Sequence, residues 1–383
     1  MSNVRETVLA VQRDLNACLL ERESAIENAL LALLTGEHYL QLGPAGVGKS
    51  MLVRALSKRL TGGVYYEKLL TAFSVPEELF GPIDLLGYAD RGEYRRVSRG
   101  SASEAHFIFL DEIWKANSAI LNSLLTLMNE RLLHEVGFAP QRVPLLSLFG
   151  ASNETPSESS LRALDDRFLL RQEIRPLSDD ASFAQLITAP LDIDDIQATL
   201  TLEELRHAQA EVKQVKGTPE VLQALLALRQ GLSEEGIVVS DRRWRQSGRL
   251  LKANAWLQGH AELDAEHLLC LEHAIWTDPA ERKTAQRKVY EVACPLALRA
   301  IEIEDQMQET FDRIPAKSDG GYHQRAENAL QILTDGHRQL SEEIQRSLSR
   351  DMTQAERSLA KIASLHQAAS TALFHAIKGL TLR

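Results

Sequence analysis

Cysteine is scarce in this chain of 383 residues. The three cysteines, Cys18, Cys270 and Cys294, are far apart in the sequence and form no CxxC pair. Three scattered cysteines without a CxxC pair indicate neither a structural zinc site nor a disulfide framework. Scattered cysteines are typical of reduced thiols in a cytoplasmic protein.

Long hydrophobic runs are also missing. No apolar stretch approaches the roughly 18 residues that a membrane-spanning helix needs. The first ten residues, MSNVRETVLA, place a glutamate beside the arginine and contain no long apolar core, so they do not resemble a signal peptide. With 44% hydrophobic and 25% charged residues, the composition predicts a globular cytoplasmic protein of two or three domains, without membrane insertion.

An excess of positive charge is absent as well. The chain has 43 Lys and Arg against 53 Asp and Glu, a formal net charge of −10. Proteins that bind nucleic acid neutralise phosphates with a basic face, and single strands usually stack on aromatic side chains. The sequence offers neither a basic tail nor an aromatic stacking motif. These absences count against nucleic acid as the main partner.

The clearest motif that the sequence does contain is HYLQLGPAGVGKS, which ends in GxxxxGKS from Gly43 to Ser50. A short apolar run precedes it, and MLVRALSKRL follows it with apolar residues at helical spacing. A glycine-rich loop between a strand and a helix lets backbone N–H groups converge on a phosphate at the helix N-terminus. We expect Lys49 to contact the β- and γ-phosphates of a nucleotide and the Ser50 hydroxyl to ligate Mg²⁺.

A second motif, FIFLDE, delivers two adjacent carboxylates to the end of a predicted strand, about 60 residues after the loop. Two neighbouring carboxylates repel each other unless a cation relieves the repulsion. A bound Mg²⁺ gives both a role, with Asp111 in the metal shell and Glu112 polarising the attacking water. The alternative for such a pair is a solvated strand end.

Strands and helices alternate around these motifs. Residues 64–70 and a run from Leu145 read as strands, and Asn117 to Glu130 as a helix. The run LLSLFGASNE places Asn153 at a strand end, where it could orient the attacking water. This alternation predicts an α/β fold with a mostly parallel sheet and ligands at the carboxyl ends of its strands.

The motifs together resemble the MoxR family of AAA+ ATPases, and within it the RavA branch. The resemblance rests on GPAGVGKS, FSVPEELFGPIDL, FIFLDEIWKANSAILNSLLTLMNER, ASNETP, ALDDRF and VVSDRRWRQSGRLLKANA, and covers about residues 10–275. It implies a P-loop AAA+ core, an all-helical lid and a C-terminal helical domain. It also implies hairpins within residues 75–103 and within RLLHEVGFAPQRVPL, the latter turning at Gly137.

The resemblance also implies roles for individual residues. Asp111 and Glu112 match the Walker B carboxylates, Asn153 matches sensor 1, Arg167 matches the arginine finger and Arg242 matches sensor 2. Walker A, with the position after it, corresponds to Gly43, Pro44, Ala45, Gly46, Val47, Gly48, Lys49, Ser50 and Met51. For the finger the neighbouring arginines Arg162 and Arg171 remain open, and for sensor 2 so does Arg243, because several basic side chains compete for each position.

The function that this implies is a ring-forming ATPase with ATP and Mg²⁺ as ligands. The resemblance implies a homo-oligomer, which we expect to be a hexamer. It also implies that hydrolysis is used to remodel a protein partner, often one with a von Willebrand factor A (vWA) domain. Two alternatives stay open. One is a nucleic-acid motor, and the other is a nucleotide-gated scaffold with little turnover, against which the intact Glu112 and Asn153 argue.

The predicted organisation has three consecutive parts. Residues 1–177 form the nucleotide-binding core, 178–280 the helical lid and 281–383 a C-terminal helical domain. After residue 330, apolar or small residues recur about every 3.6 positions. This period predicts either one very long helix or an antiparallel hairpin that turns near SLSRDMT. Such helices would recognise a partner or brace the core.

Overall fold

A central parallel sheet organises the first half of the chain. The computed structural model describes residues 3–92, 96–134, 140–156, 159–189, 192–313, 322–347 and 353–381. Five parallel strands form the sheet in the order β3-β4-β7-β1-β8. Their bounds are β1 (His38–Leu42), β3 (Tyr65–Leu69), β4 (Phe107–Asp111), β7 (Ser147–Ser152) and β8 (Phe168–Glu173).

The inner strands are buried along almost their whole length. Every residue of β1 and β7 is buried, and so are the first four of β4. Parallel strands that are covered by helices on both faces read as continuous apolar runs, as FIFL does in β4. The predicted α/β fold with a parallel sheet is therefore confirmed. Two short pairs complete the strands, namely β2 (Leu60–Thr61) with β9 (Leu200–Thr201), and β5 (Leu132–Leu133) with β6 (Gln141–Arg142).

Several of the helices begin at a residue whose side chain caps the helix. Asn117 accepts a hydrogen bond from the amide of Ile120 at 3.1 Å, and Thr201 forms a capping box with Glu204. The helices are α1 (Asn3–Cys18), α2 (Glu23–Thr35), α3 (Lys49–Lys58), α4 (Pro76–Phe80), α5 (Leu85–Arg91), α6 (Ser118–Glu130), α7 (Ser159–Asp165), α8 (Asp180–Thr188), α9 (Leu202–Gln214), α10 (Pro219–Glu234), α11 (Asp241–Gln258), α12 (Arg282–Ala293), α13 (Pro295–Asp312), α14 (Tyr322–Arg346) and α15 (Thr353–Thr381).

The chain divides into two compact units that are interleaved in sequence. Unit 1 contains the sheet and comprises Met1–Pro219, Gly236–Leu263 and Cys270–Arg282. Unit 2 comprises Glu220–Glu235, Asp264–Leu269 and Lys283–Arg383. The division predicted from the sequence, at residues 177 and 280, consists of consecutive segments and stays a prediction.

Unit 2 contains a bundle of α13, α14 and α15. Its core includes Ile303 and Met307 from α13, Leu340 from α14 and Ile362 from α15. The Thr334 hydroxyl on α14 and the His366 ring on α15 are 3.1 Å apart. Thr334 precedes residue 350 by as many positions as His366 follows it, and few residues join the two helices. Such a contact is possible only if α14 and α15 run antiparallel. Of the two C-terminal alternatives, the hairpin is confirmed and the single long helix is wrong. Most of the predicted turn, SLSRDMT, lies outside the described residues.

Two further expectations concern loops. The predicted hairpin before Asn153 is present as the antiparallel pair β5 and β6, although Gly137 lies outside the described residues. Residues 75–103 hold α4, α5 and an antiparallel bridge between Ile83 and Arg96. No helix within the described part of the chain is long and apolar enough to cross a membrane.

Candidate nucleotide-binding site

The predicted phosphate loop connects β1 to α3 at the carboxyl edge of the sheet. The Gly43 amide donates to the Ser152 carbonyl at the end of β7 over 3.0 Å, which fixes where the loop begins. Gly46 and Gly48 have φ angles of +82° and +87°, and no atom lies within 4 Å of the place where a Cβ on Gly46 would stand. Glycines in this conformation leave open space beside the N-terminus of α3, as an anion-binding loop requires.

Gly43 is held against the end of β8. Its φ is +150°, and an added Cβ would lie 2.2 Å from the Ile174 carbonyl oxygen. Real Cβ atoms do not approach backbone oxygen so closely, so only glycine fits here. The Ile174 amide also donates to the Leu42 carbonyl at 2.7 Å. The loop is thus registered against β7 on one side and β8 on the other.

The Lys49 side chain folds back over this loop. Its Nζ donates to the carbonyls of Gly43 at 2.7 Å and Pro44 at 2.8 Å. Partial burial lowers the pKa of Lys49, while the nearby Asp111 and Glu112 act in the opposite direction. The lysine and both carboxylates therefore belong to one electrostatic site, as the two motifs predict. Val47, Ser50 and Met51 complete the loop and the first turn of α3.

The two carboxylates stand at the end of β4. The Asp111 Oδ1 atom accepts the Glu112 amide at 3.0 Å, and Glu112 itself has a left-handed φ of +54°. A non-glycine residue in this region is strained by roughly 1 kcal/mol or more, and such strain concentrates at functional sites. The Glu112 carboxylate lies 3.5 Å from the Lys115 ammonium, a neighbour that the motif did not reveal.

A cavity of about 650 Å³ opens beside the loop. Gly43, Pro44 and Ala45 form one wall, Asn153 and Thr155 follow β7, and other lining residues include Glu173, Trp276 and Arg282. A hydroxyl at Ser50 and a carboxylate at Asp111 are the hard oxygen ligands that Mg²⁺ accepts. The open loop, the cavity and these donors fit a Mg²⁺-bound nucleotide.

Arg22 supports the loop from outside the motifs. Its Nη2 atom donates to the Val47 carbonyl at 3.0 Å and to the Arg175 carbonyl at 2.9 Å. The residue before it, Glu21, accepts the amides of Ser178 and Asp179 at distances near 3 Å. No pattern in the sequence marks Arg22, because the two carbonyls that it joins are far from it along the chain.

The predicted arginine finger occupies the opposite edge of the sheet. Arg167 immediately precedes β8, whereas Gly43 touches Ile174 immediately after β8. Six strand residues at ~3.3 Å each separate the two edges by roughly 20 Å, farther than an arginine side chain reaches. Arg167 of one chain therefore cannot contact a nucleotide held by the loop of the same chain.

Arg242 lies on the same side as Arg167. Its guanidinium is 3.9 Å from the Asp166 carboxylate, and it helps to lower the pKa of Arg167, after the larger effect of burial. With its oxygen turned toward Arg167, the Asn129 amide accepts from that guanidinium at 2.9 and 3.2 Å. Both arginines line a cavity of about 380 Å³ together with Arg131, Arg245 and Arg249.

Two of the competing arginines are internal. The Arg171 side chain is 0% exposed and binds the Asp165 carboxylate at 2.8 Å and the Trp276 carbonyl at 3.1 Å. The Arg243 side chain is 1% exposed and donates to the carbonyls of Leu169 and Ala274. Burial lowers the pKa of Arg243 to about 9. Arg162 is exposed on α7. Neither Arg171 nor Arg243 can reach a ligand at the surface.

This fold and these motifs define the class of P-loop proteins with a parallel sheet and a helical lid. Residues 6–216 match the family described as "MoxR domain in the MoxR-vWA-beta-propeller ternary systems", and residues 220–289 match an AAA lid domain. The chain belongs to the MoxR family of AAA+ proteins.

The chain is also similar to other proteins of known sequence or structure. The uncharacterized protein MJ0079 of Methanocaldococcus jannaschii is 35% identical over 302 residues, which cover 79% of this chain and 78% of that protein. The protein MoxR of Methylorubrum extorquens is 22% identical and covers 82% and 97%, respectively. The crystal structure of a presumed ATPase from Cytophaga hutchinsonii shares the fold, with a TM-score of 0.58 and 18% identity over 74% of this chain and 94% of that one.

Proposed function

We propose that this protein is a Mg²⁺-dependent ATP hydrolase that forms a ring, in which each nucleotide is held by one chain and completed by arginines of the next. The separation of roughly 20 Å between the phosphate loop and Arg167 carries this proposal. A single chain holds the binding half of a site at one edge of the sheet and the arginine half at the other.

The phosphate loop binds the nucleotide in this proposal. The amides around Gly46 and Gly48 surround the β-phosphate, and Lys49 leaves the carbonyls of Gly43 and Pro44 to contact the β- and γ-phosphates. Ser50 and Asp111 hold the metal ion. When bound, Mg²⁺ neutralises charge on the phosphate oxygens and orients them.

Glu112 acts on the attacking water. Its carboxylate accepts a proton of the water that approaches the γ-phosphate in line, and Asn153 orients that water from the end of β7. Lys115, at 3.5 Å, keeps the Glu112 carboxylate near the end of β4 before the substrate arrives. The strained backbone at Glu112 supports this role, because it fixes the direction of the side chain.

The neighbouring chain completes the site. Arg167 contacts the γ-phosphate across the interface as an arginine finger, and Arg242 contacts the same phosphates as sensor 2, both in trans. Their common cavity and the burial of Arg171 and Arg243 support this choice among the arginines. A closed homo-oligomer is the arrangement that completes every site, and we propose a hexamer.

The proposed work of hydrolysis is remodelling of a protein partner that carries a vWA domain. The description of the matched family, which names MoxR-vWA-beta-propeller systems, supports this partner. The finer assignment to the RavA branch stays a prediction, since that description does not name it.

Steady-state hydrolysis by wild type, Glu112→Gln and the exposed control Glu130→Gln tests the proposal. We expect turnover by wild type and the control, and retained ATP binding with turnover reduced about 10²-fold or more in Glu112→Gln. Parallel assays with added DNA or RNA address the alternative of a nucleic-acid motor. Wild-type turnover by Glu112→Gln, or strong stimulation by nucleic acid, would contradict the proposal.

A further inference from the structure

One face of α11 presents a row of arginines to the cavity that contains Arg167. Arg242, Arg245 and Arg249 are spaced three and four residues apart, so they share one side of the helix. All three line the 380 Å³ cavity, and Arg131 enters it from the end of α6. Of this set, the family resemblance assigns a role only to Arg167 and Arg242.

Two carboxylates near the cavity, those of Glu37 and Asp166, are already paired with arginines. The Glu37 carboxylate pairs with Arg249 and accepts the Gln246 amide at 2.6 Å. Burial raises the pKa of Glu37, although Arg249 and Gln246 oppose this effect. Asp166 lies 3.9 Å from Arg242 and 3.6 Å from the buried Arg243. These two carboxylates cannot balance the five arginines of the cavity.

Arg245 is the arginine of the row that remains available. Arg249 is held by Glu37, and Arg131 donates to the Gly36 carbonyl at 2.7 Å. Arg245 is exposed and has no hydrogen bond or ion pair with any residue that the structure describes. An unpaired guanidinium beside other guanidinium groups favours an anion with several oxygens, such as a polyphosphate.

We propose that Arg245 is a third arginine that binds, in trans, the nucleotide held by the neighbouring chain. Arg245 lies about one turn beyond Arg242 on α11, roughly 4.5 Å along the axis, and on the side away from Asp166 and Arg167. With Arg167 at the γ-phosphate, Arg245 contacts the phosphates that remain on the product. It contributes to binding ATP and ADP alike, so its loss raises KM more than it lowers kcat.

The test compares Arg245→Gln with Arg206→Gln, which removes the same charge from an exposed arginine on α9. Rings are verified by sedimentation, and the affinity for a fluorescent ADP and the KM for ATP are measured. We expect Arg245→Gln to lower the affinity for ADP and to raise the KM for ATP, each roughly 10-fold, with kcat within about 3-fold of wild type. The KM and the ADP affinity of Arg245→Lys should lie between those of wild type and Arg245→Gln, because lysine keeps the charge and loses the bidentate geometry. Equal KM and ADP affinity in Arg245→Gln and Arg206→Gln would overturn the inference.

Mixed rings test the trans geometry. When Arg245→Gln chains are mixed with an excess of Lys49→Ala chains, the neighbours supply Arg245 and the active sites should regain the wild-type KM. A KM that stays high in these mixtures would place Arg245 on its own chain's nucleotide and refute the inference. The same mixture still allows the KM to be measured if Arg245→Gln alone assembles poorly.

The inference rests on the proposed function, and the two can fail separately. If Arg167→Ala and Lys49→Ala chains do not complement each other, the proposed trans site is wrong. If they complement while Arg245→Gln behaves like Arg206→Gln, the trans site stands and only the role of Arg245 is wrong.

Discussion

The guanidinium of Arg22 is hydrogen-bonded to the carbonyl of Val47, inside the phosphate loop, at 3.0 Å. The same Nη2 atom donates to the Arg175 carbonyl at 2.9 Å, just beyond β8. One side chain thus joins the loop to the strand against which Gly43 packs. The loop is held in its open form by contacts made before any nucleotide binds.

We expect Arg22→Met to weaken ATP binding without stopping hydrolysis. The variant keeps the apolar part of the side chain and loses the hydrogen bonds to the carbonyls of Val47 and Arg175, and a third to the Glu21 carbonyl. A hydrogen bond with a charged donor is worth about 1.5–3 kcal/mol. The loop then samples other conformations, and the affinity for ATP should fall by roughly 3- to 30-fold. Fluorescent nucleotide titration measures this change. Arg13→Met, an exposed arginine on α1, should bind ATP as wild type does, and equal affinities in the two variants would contradict the role of Arg22.

Replacement of Gly43 should damage the loop even in the absence of nucleotide. In Gly43→Ala the new Cβ would meet the Ile174 carbonyl oxygen at 2.2 Å, so the end of β8 or the loop must move. Gly217→Ala is the control, since no atom lies within 4 Å of its added Cβ. We expect Gly43→Ala to lose about 1–3 kcal/mol of stability and most ATP binding, and Gly217→Ala to change little. Thermal unfolding of the nucleotide-free protein decides between these outcomes.

Hydrolysis should depend on contact between chains. If Arg167 completes the neighbour's site, specific activity rises with protein concentration until rings form. Arg167→Ala should bind ATP and hydrolyse it about 10³-fold more slowly. Mixing Arg167→Ala with Lys49→Ala should restore part of the activity, because some interfaces then pair an intact loop with an intact arginine. Turnover by a monomer, independent of concentration, would rule out the ring.

The buried ion pair of Arg59 and Asp14 should make the stability of the fold depend on pH in the acidic range. The Arg59 Nε atom lies 2.8 Å from the Asp14 Oδ2 atom, and both side chains are almost fully buried. Burial alone would raise the pKa of Asp14, but hydrogen bonds from Arg59 and from the amides of Gln197 and Ala198 outweigh it, so the pKa is lowered from 3.8. A lowered pKa stabilises the fold above the unfolded value, near pH 4, and this contribution disappears as the pH falls further.

Asp14→Asn tests this pH dependence. Removing one charge of a buried pair should cost about 3–5 kcal/mol at pH 7, measured by urea unfolding. The difference from wild type should shrink as the pH falls below about 4, because the unfolded wild-type chain then takes up a proton at Asp14 that the folded chain does not. The pH-dependent part is lost fully only below the lowered pKa of the folded carboxylate. Asp194→Asn, which removes the exposed partner of Lys58, should change stability by less than about 1 kcal/mol. A difference between wild type and Asp14→Asn that persists unchanged at low pH would contradict the argument.

The C-terminal bundle offers a test of whether it braces the core. Leu340 is fully buried between the three helices, whereas Ile332 on the same helix is 43% exposed. Leu340→Ala should lose about 2–5 kcal/mol of stability, and Ile332→Ala should lose much less. If the bundle recognises a partner, Leu340→Ala should lose the partner in a pull-down and keep its ATPase activity. Parallel loss of ATPase activity would show that the bundle braces the core instead.

The sequence predicts those features whose physical cause is local. GPAGVGKS needs only a strand before it and a helix after it, and the structure places it between β1 and α3. FIFLDE predicts a buried strand that ends in carboxylates, and β4 ends at Asp111. The period of 3.6 predicts amphipathic C-terminal helices. It could not decide between one helix and two, because the same stripe is buried equally well by a hairpin.

The choice among neighbouring arginines depended on tertiary structure. Arg167 and Arg171 are four residues apart in sequence, and Arg242 and Arg243 are adjacent. The motif and the charge therefore do not show which arginine of each pair faces a ligand. Folding buries Arg171 and Arg243 against carbonyls and carboxylates, and leaves Arg167 and Arg242 in one cavity. Arg22 and Glu37 follow the same logic, since their partners are distant along the chain. Arg245 follows it because only folding brings it into the cavity that contains Arg167. The sequence by itself determined which chemical groups are present at each strand end, because those groups are carried by local patterns. Only the packed structure decided which of them face a ligand, because burial is a property of the surroundings rather than of the residue.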